Sequence, residues 1–106
     1  MALIIVNEMW GSVDDFINYQ VSNIGRVRNA NNGKILKAGN RKGYLCVGLY
    51  ADDKQIHHSI HRLVAKAFIP NTTNKPQVDH IDNNKVNNSV NNLRWASSED
   101  LSLIHI

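Results

Sequence analysis

Asp79 and His80 are adjacent side chains that together suit a hydrolytic reaction. A carboxylate is a hard oxygen ligand of the kind that Mg²⁺ prefers. A neutral imidazole can take a proton from water near pH 7. The pair therefore fits metal-assisted phosphodiester hydrolysis, in which the metal stabilises charge and His80 activates water. An Asp–His pair is by itself a weak signal, because most such pairs are polar surface residues.

The elements around this pair must turn both side chains toward one place. Adjacent side chains on a regular strand face opposite sides, so Asp79 and His80 need a strand end that runs into a turn. The sequence predicts a strand over 77–81 and a second strand over 92–96. The segment between them, 82–91, is rich in asparagine, which favours turns, and is predicted to be a loop.

Helices are predicted on both sides of this unit. Apolar residues recur at helical spacing over 60–69, and Pro70 ends that helix. A polar linker follows over 71–76. Ser97, with Asp100 three residues later, resembles a capping box and predicts the start of another helix.

The first 60 residues alternate turn signals with strand-like runs, of which Asn32-Gly33 is the strongest hairpin signal. The expected strands lie at 3–6, 34–37, 44–50 and 55–60. The expected turns lie at 29–33, 39–43 and 52–53. These elements predict a small antiparallel sheet that carries basic side chains.

The charge distribution indicates a polyanionic partner. The chain has a net charge of +3, and the stretch 16–51 contains no Asp or Glu. The basic residues of that stretch are Arg26, Arg28, Lys34, Lys37, Arg41 and Lys42. They give it a charge of +6 and leave −3 for the remainder, since 3 − 6 = −3. A basic half beside a mildly acidic half is typical of nucleic-acid binding, although a solvated basic face gives the same pattern.

Length and composition exclude several classes of protein. A chain of 106 residues is one domain, or a small domain with an appendage. A single cysteine, Cys46, excludes a disulfide framework and a zinc site built on paired cysteines, and it favours a reducing cytoplasm. The sequence contains no apolar run long enough to span a membrane and no recognisable signal peptide.

Two groups of motifs resemble a known family. Asp79-His80, followed about a dozen residues later by Asn92-Leu93-Arg94-Trp95, resembles the HNH endonucleases, whose core is a ββα-metal finger. The phrases upstream resemble the NUMOD DNA-binding motif that precedes this finger in phage and intron-encoded homing nucleases. Those phrases are Asn18-Tyr19-Gln20-Val21-Ser22-Asn23-Ile24-Gly25-Arg26-Val27, Gly43-Tyr44, Ile60-His61-Arg62-Leu63-Val64-Ala65 and Phe68-Ile69-Pro70.

The resemblance covers about residues 8–100 and implies an α+β fold. In that fold a small basic antiparallel sheet and a connecting helix precede a ββα-metal unit whose last helix is incomplete. The expected division is a NUMOD-like DNA-binding region over 1–59, a helix and linker over 60–76, and the finger over 77–100.

The resemblance also implies residue roles. Asp79 would be a metal ligand, His80 the general base, and Asn92 a brace that holds the loop by hydrogen bonding. Arg94 would contact a phosphate, and a role in a surface salt bridge is an equally favoured alternative. The implied function is a Mg²⁺-dependent endonuclease that nicks one strand of double-stranded DNA. The protein is expected to act as a monomer, without a membrane partner, in the cytoplasm of a bacterial or phage-infected cell.

The chain departs from the family pattern at position 101. An Asn or His there would complete the metal site, whereas this chain has Leu101, which cannot ligate a metal. Back-translation of residues 101–106 resembles a transposon end used in sequencing adapters, so we expect a non-native tail after about Asp100. The alternative function is therefore a DNA-binding module with impaired catalysis. An RNA-binding protein that uses the same basic sheet is a third, weaker possibility.

Overall fold

The computed structural model describes residues 7–99. The strands are β1 (Trp10–Ser12), β2 (Tyr19–Ser22), β3 (Val27–Asn29), β4 (Gly39–Arg41), β5 (Tyr44–Ala51), β6 (Lys54–Ser59), β7 (Gln77–His80) and β8 (Leu93–Ala96). The helix is α1 (Ile60–Phe68), and a short 3₁₀ turn spans Val90–Asn92. All strand pairs are antiparallel, which confirms the α+β class.

The strands of the first half form two sheets instead of the single sheet expected. One sheet has the order β1-β2-β3 and the other has the order β4-β5-β6. The return strand predicted over 34–37 is reduced to one antiparallel bridge, between Ile35 and Arg28 of β3. Main-chain hydrogen bonds flank the bridge, from Asn29 N–H to Lys34 O at 2.9 Å and from Leu36 N–H to Val27 O at 2.8 Å. The strand predicted over 3–6 lies outside the described residues.

The turn predicted over 39–43 is also too long. Gly39–Arg41 is strand β4, and the chain reverses only at Lys42 and Gly43, whose φ angles are 54° and 90°. Two successive positive φ angles are typical of the tight turns that match the twist of a hairpin. The turn predicted at Asp52-Asp53 is confirmed, with φ angles of 53° and 62°.

Helix α1 lies at the centre of the molecule. Its buried residues are Ile60, His61, Leu63, Val64 and Ala65. They join a hydrophobic core that includes Val21 of β2, Leu49 of β5 and Leu93 of β8. Ile69 still donates its N–H to Ala65 O at 2.9 Å, and Pro70, which has no N–H, cannot extend the helix. The core therefore connects both sheets to the hairpin that carries the candidate site.

Strands β7 and β8 form that hairpin. Asp79 pairs with Arg94 and His80 pairs with Leu93 across it, and a loop over 81–92 joins the two strands. The indole N–H of Trp95 donates to Ile69 O at 2.9 Å, which fixes the hairpin to the end of α1. Among residues 7–99, no helix is long and apolar enough to cross a membrane.

Candidate active site

Asp79 and His80 both line an open cleft of about 410 Å³ at the end of β7. The other residues that line it are Tyr44, Gln77, Val78, Asn83 and Lys85. Strand β7 ends at His80, and the chain turns at once, with Asn83 N–H bonded to His80 O at 2.9 Å. The strand end thus presents neighbouring side chains to one cavity, as the chemistry of the pair requires.

The imidazole of His80 is buried, with 5% of its surface exposed. Its Nε2 lies 2.8 Å from the side-chain oxygen Oδ1 of Asn88. The ring centre lies 4.9 Å from that of His61 and 6.0 Å from that of Tyr44. One ring nitrogen is therefore held by a hydrogen bond, and two aromatic rings confine the ring itself.

His61 forms the inner wall of the cleft. Its ring stacks on Tyr44 with a centroid distance of 5.2 Å. Burial, together with the nearby charges of His80 and Arg62, lowers the pKa of His61 to about 4. His61 is therefore uncharged near pH 7, and it adds no positive charge beside His80.

Asp79 is held by Arg94. The Nε and NH2 groups of Arg94 donate to Oδ2 of Asp79 at 3.1 and 2.9 Å. The Asp79 side chain is 12% exposed and that of Arg94 is 44% exposed. In this structure Arg94 thus forms the salt bridge that the sequence left as one of two alternatives.

The side chain of Asn92 crosses the loop between β7 and β8. Its Oδ1 accepts the N–H of Asp82 at 3.0 Å. Its Nδ2 donates to Asp82 Oδ1 at 2.8 Å and to Asn87 O at 2.9 Å. The main-chain oxygen of Asn92 also accepts the N–H of Ile81 at 2.8 Å. One buried amide therefore holds both ends of the loop that follows His80.

Asp82 is the acidic centre of this loop. Hydrogen bonds from the Asn87 side chain, the Asn84 N–H and the Asn92 side chain lower the pKa of Asp82 below its ordinary value. All three donors favour the ionised carboxylate, so Asp82 stays charged and continues to organise the loop around neutral pH.

Lys85 stands at the mouth of the cleft. Its Nζ lies 4.7 Å from the centre of the Tyr44 ring, and it donates to Lys42 O at 3.5 Å. The turn of the β4–β5 hairpin leaves room for this side chain, because a Cβ at Gly43 would lie 3.2 Å from Lys85 Cδ. The hairpin turn thus packs against Lys85, an exposed cation that lines the cleft.

The basic residues of the first half fall into two groups. Arg26 forms an ion pair with Glu8, and this hydrogen bond lowers the pKa of the Glu8 carboxyl. Arg28 donates to Gln20 Oε1 at 2.8 Å and lies 4.0 Å from the ring centre of Trp10. The second group is exposed and comprises Lys34, Lys37, Arg41 and Lys42. Arg26 is exposed as well but is paired with Glu8.

Asp79 is the side chain of the cleft that best suits a divalent cation. Both hydrogen bonds from Arg94 end on Oδ2 of Asp79, so neither of them uses Oδ1. Mg²⁺ usually keeps several waters and takes one or two carboxylates plus phosphate oxygens, so one carboxylate at an open cleft fits it. Residues 7–99 contain no cluster of three or more His, Cys, Asp or Glu side chains that could hold a metal ion. Leu101, at the position of the further ligand, lies outside the described residues.

The sequence did not single out several residues of the site. Tyr44 was predicted only as part of a strand, His61 as part of a helix, and Lys85 and Asn88 as members of a polar loop. No local pattern distinguishes Asn88, which is 4% exposed, from the other asparagines of its segment. The phrase that contains Tyr44 and the phrase that contains His61 were both noted, but their meeting at the cleft depends on tertiary packing.

Two family models match the chain in succession. The NUMOD4 motif matches residues 8–50, and the HNH endonuclease model matches residues 58–103. Their order agrees with the resemblance seen in the sequence. The last residues described, Ser98 and Glu99, are helical, whereas Asp100 and the tail over 101–106 lie outside the described residues.

Individual relatives agree with the family models. An uncharacterised HNH endonuclease of Acanthamoeba polyphaga mimivirus is 42% identical over 88 residues, which are 83% of this chain and 27% of that protein. The DNA endonuclease I-HmuI of Bacillus phage SP01 is 42% identical over 83 residues, which are 77% of this chain and 48% of that protein. The chain thus spans less than half the length of these two curated relatives.

The fold also matches a solved structure. The structure that describes DNA binding and cleavage by the HNH homing endonuclease I-HmuI superimposes on this chain with a TM-score of 0.82 and 36% sequence identity. The match covers 92% of this chain and 56% of that chain. The arrangement of sheets, helix and hairpin is therefore shared with a nuclease of this kind.

Proposed function

Because the chain belongs to the HNH endonuclease family, with a NUMOD4 motif before its HNH domain, we propose that it is a Mg²⁺-dependent endonuclease that nicks double-stranded DNA as a monomer. The observation that carries the proposal is the cleft in which Asp79 and His80 meet beside the exposed Lys85. Its open form suits a polymer better than a small enclosed substrate.

His80 is the proposed general base. Its ring is confined by His61 and by the hydrogen bond to Asn88, so its orientation is fixed before the substrate arrives. During hydrolysis the water oxygen bonds to phosphorus, the bond from phosphorus to the leaving sugar oxygen breaks, and His80 takes the proton of the water. The leaving oxygen takes a proton from solvent. Proton transfer of this kind contributes on the order of 10²–10⁴-fold to a rate.

Asp79 is the proposed ligand of the divalent cation. Its carboxylate lines the cleft, and Arg94 bonds to Oδ2 and not to Oδ1. A bound Mg²⁺ would stabilise the negative charge that develops on the phosphate. Arg94 orients the carboxylate through two hydrogen bonds, and its partly exposed guanidinium is the proposed contact to a phosphate.

Asn92 is the proposed brace of the loop. It ties Asp82 and Asn87 together directly after the strand end that carries His80. The amide can do this because it donates and accepts at the same time. The brace therefore acts on the position of His80 through the loop backbone and makes no contact with the substrate.

The proposed DNA contacts are the basic side chains of the first half together with Lys85. Lys and Arg contacts to phosphates supply sequence-independent affinity. Lys85 lines the cleft, and its Nζ donates to the main-chain oxygen of Lys42, so a strand held by Lys85 would pass Asp79 and His80. The division into 1–59, 60–76 and 77–100 remains part of this proposal.

The decisive experiment measures metal-dependent nicking of a supercoiled plasmid. We expect open-circle product with Mg²⁺ and none with a chelator. His80→Ala should lower the rate by about 10²–10⁴-fold and leave DNA affinity unchanged. The matched control is His57→Ala, since His57 is an exposed histidine on β6. Binding without nicking by the unsubstituted chain would favour the impaired DNA-binding module, and preference for RNA over duplex DNA would contradict both readings.

A further inference from the structure

The amide of Asn88 lies within hydrogen-bonding distance of one nitrogen of the buried His80 ring. Asn88 is 4% exposed, and its Oδ1 lies 2.8 Å from Nε2 of His80. A side-chain amide oxygen only accepts hydrogen bonds. With Oδ1 facing the ring, Nε2 is the donor, and in the neutral ring the lone pair then lies on Nδ1. Nδ2 of Asn88 is buried and has no hydrogen-bond partner among residues 7–99.

Asn88 is itself held by the first half of the chain. The N–H of Val90 donates to Asn23 O at 2.8 Å, across the boundary between the two family matches. Gly25 packs directly on Asn88, since a Cβ at Gly25 would lie 2.9 Å from Asn88 Cβ and 3.2 Å from its carbonyl oxygen. No side chain would fit there without a shift of the Asn88 backbone.

The turn that carries Gly25 is held by hydrogen bonds to Ser22. The Ser22 hydroxyl, fully buried, accepts the N–H of Arg26 at 3.1 Å, and Gly25 N–H donates to Ser22 O at 3.1 Å. Gly25 has a φ of +93°, a conformation that glycine adopts at low cost and other residues rarely adopt. A close approach and a left-handed backbone thus coincide at one residue that faces Asn88.

We infer that Asn88 is a positioning residue for His80, that it holds the Nε2–H tautomer so that Nδ1 receives the proton of the water, and that the turn over 22–26 of the NUMOD4 motif fixes Asn88. The inference rests on the proposed function and extends it. It gives the NUMOD4 motif a part in catalysis that is separate from DNA affinity.

The tautomer is measured directly by ¹⁵N NMR of the histidine rings in the full 106-residue chain without metal. We expect Nε2–H for His80 in the unsubstituted chain. Asn88→Leu, which removes the acceptor, should shift the ring to a mixture of tautomers. Asn88→Asp, which keeps an acceptor oxygen, should retain Nε2–H. The matched control is Asn91→Leu, because Asn91 is an exposed asparagine of the same segment.

Two glycine variants test the contribution of the turn. Gly25→Ala should lower the maximal nicking rate about tenfold and leave the DNA concentration at half-maximal rate unchanged. Gly33→Ala introduces the same type of strain, at φ +72°, but its added Cβ meets nothing within 4 Å, so nicking should be unchanged. Circular dichroism of each variant separates a local effect from loss of the fold.

The two proposals fail in different ways. If the unsubstituted chain does not nick DNA, the proposed function fails, and the ring tautomer still decides the role of Asn88. An Nδ1–H ring in the unsubstituted chain, or an unchanged tautomer in Asn88→Leu, would overturn the positioning role. A Gly25→Ala variant that loses DNA affinity at an unchanged maximal rate would overturn the role of the turn.

Discussion

The guanidinium of Arg94 donates two hydrogen bonds to a single oxygen of Asp79, across the register pair that these residues form between β7 and β8. The Arg94 guanidinium therefore pairs with the same carboxylate that is proposed to bind a metal ion. The two cations compete for the same negative charge, while Arg94 also keeps the carboxylate in a fixed orientation.

Replacement of Arg94 by Gln should strengthen binding of Mn²⁺ or Mg²⁺ to the free chain. A partly exposed ion pair is worth up to about 1 kcal/mol, which corresponds to roughly a fivefold change in affinity. Calorimetric titration at low ionic strength measures this change. Arg62→Gln is the control, since Arg62 donates to Pro76 O and not to Asp79. Equal metal affinity in both variants would show that Arg94 does not restrain the carboxylate.

The exposed cations should dominate the salt dependence of DNA binding. Each phosphate contact adds about −0.9 to the slope of log affinity against log salt concentration. We expect Arg41→Ala with Lys42→Ala to make the slope shallower by about two units. Arg26→Ala with Arg28→Ala should change it by about one unit or less, because Arg26 is already paired with Glu8.

Fluorescence anisotropy with a short duplex, measured over a series of salt concentrations, gives these slopes. A larger change for the Arg26 and Arg28 pair than for the Arg41 and Lys42 pair would place the interface on β3 instead of the β4–β5 turn. A slope near zero for the unsubstituted chain would contradict phosphate binding by either group.

Asn92→Ala should destabilise the chain by about 2–3 kcal/mol. The change removes three side-chain hydrogen bonds and leaves polar groups of Asp82 and Asn87 without their partner. Asn91→Ala, at the neighbouring exposed position, should cost less than about 0.5 kcal/mol. Urea unfolding measures both values, and similar losses in the two variants would contradict a bracing role for Asn92.

His61 should make the chain less stable in acid. Its pKa is about 4 in the folded state because of burial, against about 6.5 in an unfolded chain. Between these values the unfolded state binds more protons, so the free energy of unfolding falls as pH decreases from about 6.5 to about 4. The loss from this residue is up to about 3 kcal/mol.

Urea unfolding at pH 7.5 and pH 4.5 measures the acid loss. His61→Phe should reduce it, since a phenyl ring can occupy the buried site beside Tyr44 without binding a proton. His57→Gln, at an exposed position of β6, is the control. An acid loss as large in His61→Phe as in the unsubstituted chain would assign the effect to other groups, of which His58 is one, because burial lowers its pKa as well.

The sequence predicted those elements whose bounds are set by the residues at the position itself. The end of α1 before Pro70 and the turn at Asp52-Asp53 depend on the residues themselves, and both were predicted. The single sheet was wrong because tertiary packing decides which hairpins share a sheet, and here β1-β2-β3 and β4-β5-β6 are separate. The extent of the turn over 39–43 was also wrong. Gly39–Arg41 pairs with Tyr44–Cys46, whereas a glycine at each end of 39–43 had suggested a turn.

The candidate site was predictable only in part, for the same reason. Asp79, His80 and Asn92 belong to one contiguous phrase, and the structure places them around one strand end and its loop. Tyr44 comes from a different hairpin, and no spacing in the sequence relates it to His80. Their roles in catalysis stay predictions, as does the ligand position at Leu101.

The close contact between Gly25 and Asn88 limits which NUMOD4 and HNH regions can be recombined into one working chain. Gly25 belongs to the NUMOD4 match and Asn88 to the HNH match, and at this contact a steric fit and the hydrogen bond from Val90 N–H to Asn23 O add to the core that the two regions share. If recombination replaced the NUMOD4 region alone, the new region would need a turn that fits against Asn88. Lineages that shuffle DNA-recognition segments among these nucleases should therefore keep the glycine and its facing asparagine together as a linked pair.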